Sequence, residues 1–246
     1  MLFRRISKHV TGQNWFAVFI DFIIVVVGVF IGIQVANWND VRQKNDLESS
    51  YLVRLAGDLE ETIDLLESND KLATANKSVI QTSLNTLNNS ETNDKDLILS
   101  VKNYISKGTG VLGFYVSRTT FDDLKSTGNL SVLKNKELIA SLGQLHRDLA
   151  YHDIDSLVNT DWIMPLEGEI ISEFDFLRFD DRTAHLFANK TEAEIADDIR
   201  DHFDLIQRHA ASQYWYLDAI SDDYQDAISK TQKVLNQINL ELESTK

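Results

Sequence analysis

From Trp15 to Ala36 the chain reads WFAVFIDFIIVVVGVFIGIQVA, with a single charge, Asp21, and one other strongly polar side chain, Gln34. At ~1.5 Å per residue, a helix of this length crosses a ~30 Å hydrocarbon layer. Trp15 and Trp38 bracket the run where aromatic side chains anchor at membrane interfaces. Arg4, Arg5 and Lys8 precede it. By the positive-inside rule, residues 1–14 form a cytoplasmic tail, residues 15–38 a single span of the inner (cytoplasmic) membrane, and residues 39–246 a periplasmic or other extracytoplasmic domain. A cleaved signal peptide shares the basic start and apolar middle. Its apolar region is usually only ~7–15 residues long, and Gln34-Val35-Ala36 is a poor match to an A-x-A exit, so a retained anchor is expected.

Within the span, Gly28, Gly32 and Ala36 recur every four residues and share one helix face. Small residues in that arrangement let a second backbone approach closely, which makes a homodimer contact the functional expectation for this face. Glycine is also common in membrane helices that do not pair. Asp21 costs ~2.5–3.5 kcal/mol at a bilayer centre. It is either a proton relay or partner contact within the membrane, or a carboxylate near the cytoplasmic headgroups or simply protonated.

Charge limits the partners of the remainder. The three basic residues and one acidic residue up to Trp38 leave −16 on the rest of a chain whose net charge is −14. Such a surface repels phosphates and anionic headgroups, so no nucleic-acid partner is expected. The expected partners are the lipid bilayer, through the span, a second copy of the chain, and an unidentified protein; soluble cations and a basic protein are also compatible with the charge. One proline and ten glycines provide too little turn chemistry for a many-stranded sandwich or barrel. Without cysteine, the chain has neither disulfides nor thiolate chemistry.

Periodicity then predicts helices. Leu52, Leu55, Leu59, Ile63 and Leu66 follow a 3-4 spacing, extended less regularly by Leu72, Val79, Leu84 and Leu87, which predicts one amphipathic helix over about 45–87. A polar break at 88–94 precedes a shorter helix to about Ile105 and a Gly108-Gly110 loop. A third long helix is expected over about 134–159. The clearest seam is Ile199, Phe203, Ile206, Ala210, Gln213, Leu217, Ile220, Tyr224, Ala227, Thr231, Val234 and Ile238, predicting a coiled-coil-like helix of about fifty residues from Glu192. Between Asn159 and Thr191 the pattern lapses into an aromatic-rich stretch expected to be an irregular cap and a place for a pocket. The expected fold class is all-α: an N-terminal transmembrane helix followed by an antiparallel helical bundle with long coiled-coil-like helices.

One turn stands out. Thr119 or Thr120 is placed to cap a helix with Asp122 and Asp123 in its first turn. Gly128 then fits a helix-terminating position of positive φ, with Asn129 leading out of the turn and Asn135 available to cap the next helix.

The stretch Gln34-Val35-Ala36-Asn37-Trp38-Asn39, the helix at Tyr51-Leu52-Val53-Arg54-Leu55, and Thr120-Phe121-Asp122-Asp123-Leu124-Lys125-Ser126-Thr127-Gly128-Asn129-Leu130 resemble an uncharacterised family of bacterial single-span membrane proteins, known as a domain of unknown function. The resemblance covers most of 15–149, and its most specific element is Ser126-Thr127-Gly128-Asn129-Leu130 followed by Lys134-Asn135-Lys136-Glu137-Leu138. It implies the topology and carries no activity, cofactor or catalytic residue.

The remaining constellations are weak. His146-Arg147-Asp148-Leu149 has the letters of a kinase catalytic loop, but Asp153 occupies the motif's Asn position and no phosphate-binding glycine loop precedes it. Asp148, His152 and Asp155 share one helix face, as do Asp198 and His202; such sets bind zinc or manganese, but acidic helices also produce them by chance. No G-x-S-x-G elbow is present. The helix-glycine-helix pattern over 118–150 suits a packing hairpin better than a DNA reader on so acidic a chain. No catalytic residue, cofactor or metal ligand is assigned. The expectation is a membrane-tethered scaffold or accessory subunit rather than an enzyme, with a sensory or ligand-binding domain signalling through a membrane partner as the alternative.

Overall fold

The computed structural model describes residues 15–244, which contain six α-helices and no strand. The fold is all-α. The helices are α1 (Trp15–Leu87), α2 (Asp94–Asn103), α3 (Thr119–Ser126), α4 (Lys136–Glu173), α5 (Glu192–Asp201) and α6 (Phe203–Ser244). The chain divides into two compact units, Met1–Tyr51 and Leu52–Lys246.

In the first unit, every large apolar side chain described from Phe16 to Val41 is exposed, as are Asp21, Gly28, Gly32 and Ala36. This part of α1 is the one helix among the described residues that is long and apolar enough to cross a membrane. A Cβ added at Gly28 or Gly32 would meet nothing within 4 Å.

The second unit is a bundle of three long helices. In α1, Leu52, Leu59, Leu66, Ala73, Ile80 and Leu87 are buried at an unbroken seven-residue interval. Leu72, expected on the stripe, is exposed, because the seven-residue repeat runs through Ala73 instead. A small side chain in a good register was invisible to a count of large ones. The helix directions follow from cross-bundle pairs. Asn135 meets Glu241, Asp148 meets Lys230 and Glu169 meets Arg208, so α4 and α6 are antiparallel. Asp70 meets Gln225 and Lys77 meets Asp218, so α1 is antiparallel to α6 as well.

The central helix is α6. Its predicted seam is buried except for the half-buried Phe203, and Leu205, His209, Tyr216, Ser221 and Leu235 are buried beside it. That arc is wider than a single seam because α6 packs against helices on two sides. The predicted fifty-residue helix is divided at His202, where φ −105° and ψ 17° interrupt it. The His202 Nδ1 lies 2.8 Å from the Asp198 carbonyl oxygen, an alternative to backbone pairing of the kind that ends a helix.

Two boundaries depart from expectation. Helix α4 runs past Asn159 to Glu173, with Pro165 inside it, so the irregular stretch covers only 174–191. Proline removes the N–H that would bond the carbonyl four residues earlier, but Pro165 and Asp161 both lie on the side of α4 away from the bundle, so the freed carbonyl is not sealed in the core. The start of α3 is not capped by a threonine: Arg118 occupies the cap position without a side-chain bond, and the Thr120 N–H donates instead to Asp58 of α1 at 2.8 Å. By contrast, Asn93, Asn135 and Thr191 cap α2, α4 and α5 with their own side chains.

Gly128, at φ 74°, leads from α3 into a 3-10 turn over Asn129–Val132. A Cβ there would meet nothing within 4 Å, so the requirement for glycine is conformational.

Candidate functional site

The bundle's most organised chemistry is internal. Between α2 and α3 the segment 109–118 crosses the bundle as an extended strap. It is held by tyrosines of α6: the Tyr216 hydroxyl donates to the Leu112 carbonyl at 2.6 Å and accepts from its N–H at 3.0 Å. The Tyr224 hydroxyl donates to the Gly113 carbonyl at 2.9 Å, and the Ser117 N–H donates to Thr62 of α1. Burial raises both phenols above the usual tyrosine value, so they remain neutral donors. The strap thereby seats Phe114 in the core, parallel to Tyr224 at 5.9 Å and against His152 at 5.4 Å.

His152 is 6% exposed and lies between two carboxylates of α6. Its Nδ1 is 2.9 Å from Asp223 and its Nε2 2.8 Å from Asp226; Lys230 in turn bonds Asp226 at 2.7 Å. The hydrogen bond to Asp223 is the main cause that raises the histidine above its ordinary value; burial opposes it and Asp226 adds to it. For Asp226, burial pushes upward but is outweighed by Lys230 and His152, which leave it below the usual carboxylate range. The outcome is an imidazolium holding α4 against α6. The carboxylates occupy opposite ends of the ring, so the three groups do not converge on a point where an ion could sit. Asp148 and Asp155, expected beside His152 on the same helix, do not bond its ring; Asp148 faces Lys230 and Asp155 accepts from Asn159.

A second polar centre lies one layer away. The π-helical turn Tyr104–Gly108 turns Tyr104 inward, where its hydroxyl is 2.5 Å from Nδ1 of the buried His209. Gly108 makes room for it, since a Cβ there would come within 3.0 Å of the Tyr104 ring and 3.1 Å of Ile80. Nε2 of His209 lies 3.1 Å from Glu167 without the alignment of a hydrogen bond, and Glu167 accepts from Gln213. Burial first, and the Glu167 charge second, push the Tyr104 phenol well above its usual value. Phe176 packs edge-on to His209 at 5.6 Å. A hydroxyl, an imidazole and a carboxylate in sequence resemble a nucleophilic relay in composition, but this phenol is held protonated inside a packed layer.

The open feature is elsewhere. A groove of about 450 Å³ runs between α1 and α2, lined by Ser78, Thr82, Ser83, Thr86, Asn103 and Lys107 among others. Most of its hydroxyls are engaged: Thr82 and Thr86 bond carbonyls of their own helix, and Ser83 and Ser100 exchange bonds of 3.1 Å. Asp198 and His202 are close, 3.3 Å apart, and Lys190 shares Asp198 at 3.2 Å. Among the described residues no group of three or more histidines and carboxylates is arranged to hold a metal ion.

The inner-layer residues Tyr104, Glu167, His209 and Phe114 were not marked by the sequence. One signal was available: Gln213, Tyr224 and Thr231 occupy an otherwise apolar seam, and a polar side chain at such a position implies a buried partner. The chain matches no protein-family model, no curated protein and no solved structure.

Proposed function

We propose that this chain is a membrane-tethered helical scaffold or accessory subunit that acts through protein contacts in a bacterial envelope. Its N-terminus is cytoplasmic, residues 15–38 are a single span of the inner membrane and the bundle is periplasmic or extracytoplasmic, as for the single-span family it resembles. The observation that carries this reading is the continuous exposure of apolar side chains from Phe16 to Val41, joined to a bundle whose buried histidines are committed to its own side chains. Groups used to lock helices together are poorly placed to turn over a substrate. The proposed reading therefore has no catalytic centre.

Extraction of the full chain in mild detergent, followed by co-purification, tests it: a stoichiometric foreign subunit or a stable self-assembly is expected. A solitary chain would exclude the scaffold reading. A reporter active only outside the cytoplasm should work after Lys246 and fail at the N-terminus; the reverse would overturn the orientation.

The groove between α1 and α2 supports a second reading, a ligand-binding domain that signals through a membrane partner. Native mass spectrometry of the extracted chain would then show a retained small molecule, lost on widening the groove with Thr86→Ala and Asn103→Ala.

A further inference from the structure

From Tyr151 to Ile171, α4 is apolar on its outer face. Its buried positions are His152, Ser156, Ile163 and Ile170, yet Tyr151, Ile154, Leu157, Val158, Trp162, Met164 and Ile171 are each at least 47% exposed. The other outward residues of this stretch are Asp161, Pro165 and Gly168; Asp153 and Glu169 are partly exposed and are paired with Arg118 and Arg208. Trp215 of α6 extends the patch: it is exposed, and its ring lies 4.7 Å from that of Trp162, with Tyr214 beside it. Scattered exposed apolar residues are ordinary, but a helix apolar on its outer face over this length belongs against another surface.

We propose that this face packs against the same face of a second copy of the chain. Size supports it: nine large side chains, each about half exposed, offer on the order of 800–900 Å², near the ~800 Å² per partner of a standard stable interface. Charge also supports it. On a chain carrying −14, two copies repel over most of their surface, and on this patch the one unpaired outward carboxylate among the described residues is Asp161, since Arg118 and Arg208 offset Asp153 and Glu169. A basic partner would find its complement in the acidic surface and not in a predominantly apolar stripe, and anionic lipid would be repelled by the surrounding carboxylates. An isologous contact needs only self-complementarity, which a predominantly apolar helix face with small residues at Gly168 and Pro165 provides. The contact is separate from the Gly28-Gly32-Ala36 face, so the two are broken by different substitutions.

The chain lacks cysteine, so single cysteines report cleanly. In membranes, oxidation of a Val158→Cys chain should give a disulfide-linked dimer, whereas Asp222→Cys, on an exposed part of α6, should not. In detergent, Val158→Asp should weaken dimerisation of the full chain on the order of 100-fold by placing like charges across the two-fold axis. Its helical circular dichroism and melting should match wild type, because Val158 is exposed within the protomer. Gly28→Ile with Gly32→Ile should leave the Val158→Cys crosslink in place. A monomeric wild-type chain at all concentrations would overturn the proposal, as would a dimer indifferent to Val158→Asp, or a monomer that loses a foreign subunit in that variant.

Discussion

The two halves of α4 follow different rules. From Lys136 to Leu149 the helix is conventionally amphipathic: Leu138, Leu142, Leu145 and Leu149 are buried, and Gln144 and Arg147 face out. Beyond Tyr151 the buried positions are mixed, His152 and Ser156 followed by Ile163 and Ile170, and the exposed ones are mostly apolar. The first half is held by burial of apolar area; the second adds a charged histidine against α6 to the burial of Ile163 and Ile170, and leaves many of its apolar side chains facing outward. The histidine clamp is thus an addition to apolar packing in one half only, and this difference predicts which substitutions matter.

The largest expected contrast is at the leucines. Leu145→Ala should cost about 2–5 kcal/mol in urea denaturation of the detergent-solubilised chain, because it leaves a cavity between packed helices. A loss below about 1 kcal/mol would remove the distinction between the halves.

In the second half, His152→Gln should cost about 1–3 kcal/mol, since two carboxylates then lose a cationic partner and Asp223 already has one buried oxygen without a hydrogen bond. The pH dependence has a definite sign. The folded state raises the histidine's affinity for its proton, so the stabilisation is complete below the ordinary histidine value of about 6.5 and is lost as pH rises through the higher folded-state value. His146 works the other way. Burial lowers it despite Asp122, so its contribution weakens as pH falls below about 6.5. Melting temperatures from pH 5 to 9 should fall on the alkaline side for wild type and less so for His152→Gln; identical profiles would separate the histidine from the stability of this half.

The turn that delivers the chain to α4 is a smaller test. Gly128→Val should cost at least about 1 kcal/mol, because a β-branched residue is strained at φ 74°, and Gly128→Asn should be milder. Equal denaturation midpoints for all three would mean that the turn yields at no cost. The smallest effect is expected on the outer face of the second half, where Leu157→Ala should change the stability of the protomer by no more than about 0.5 kcal/mol. Its effect belongs to association instead.

Legibility followed range. The apolar run at the start of α1 and the seam of α6 were readable because periodicity is a local property, and Gly128 because a left-handed turn has few sequence solutions. Local arithmetic failed where tertiary partners decide. His152 appeared to belong with Asp148 and Asp155 on its own helix, yet it bonds Asp223 and Asp226, which are 71 and 74 positions away. Thr120 appeared to be a cap and receives one from Asp58. The lapse of the pattern after Asn159 appeared to end a helix, yet α4 continues to Glu173 through Pro165. The coordinated burial of Tyr104, Glu167 and His209 draws on three separate elements, a juxtaposition no single window contains.

The strap over 109–118 also sets an order of events. Leu112 and Gly113 are anchored by hydroxyls 104 and 111 positions later in the chain, on α6. Until that helix emerges, Phe114 has no Tyr224 to rest on, and the earlier part of the bundle has its centre open. Closing so long a loop is a slow, entropically costly step. Closure of the core is thus tied to synthesis of α6: a ribosome that stops before Tyr224 releases a protein whose helices can form but whose midsection has nothing to fasten it.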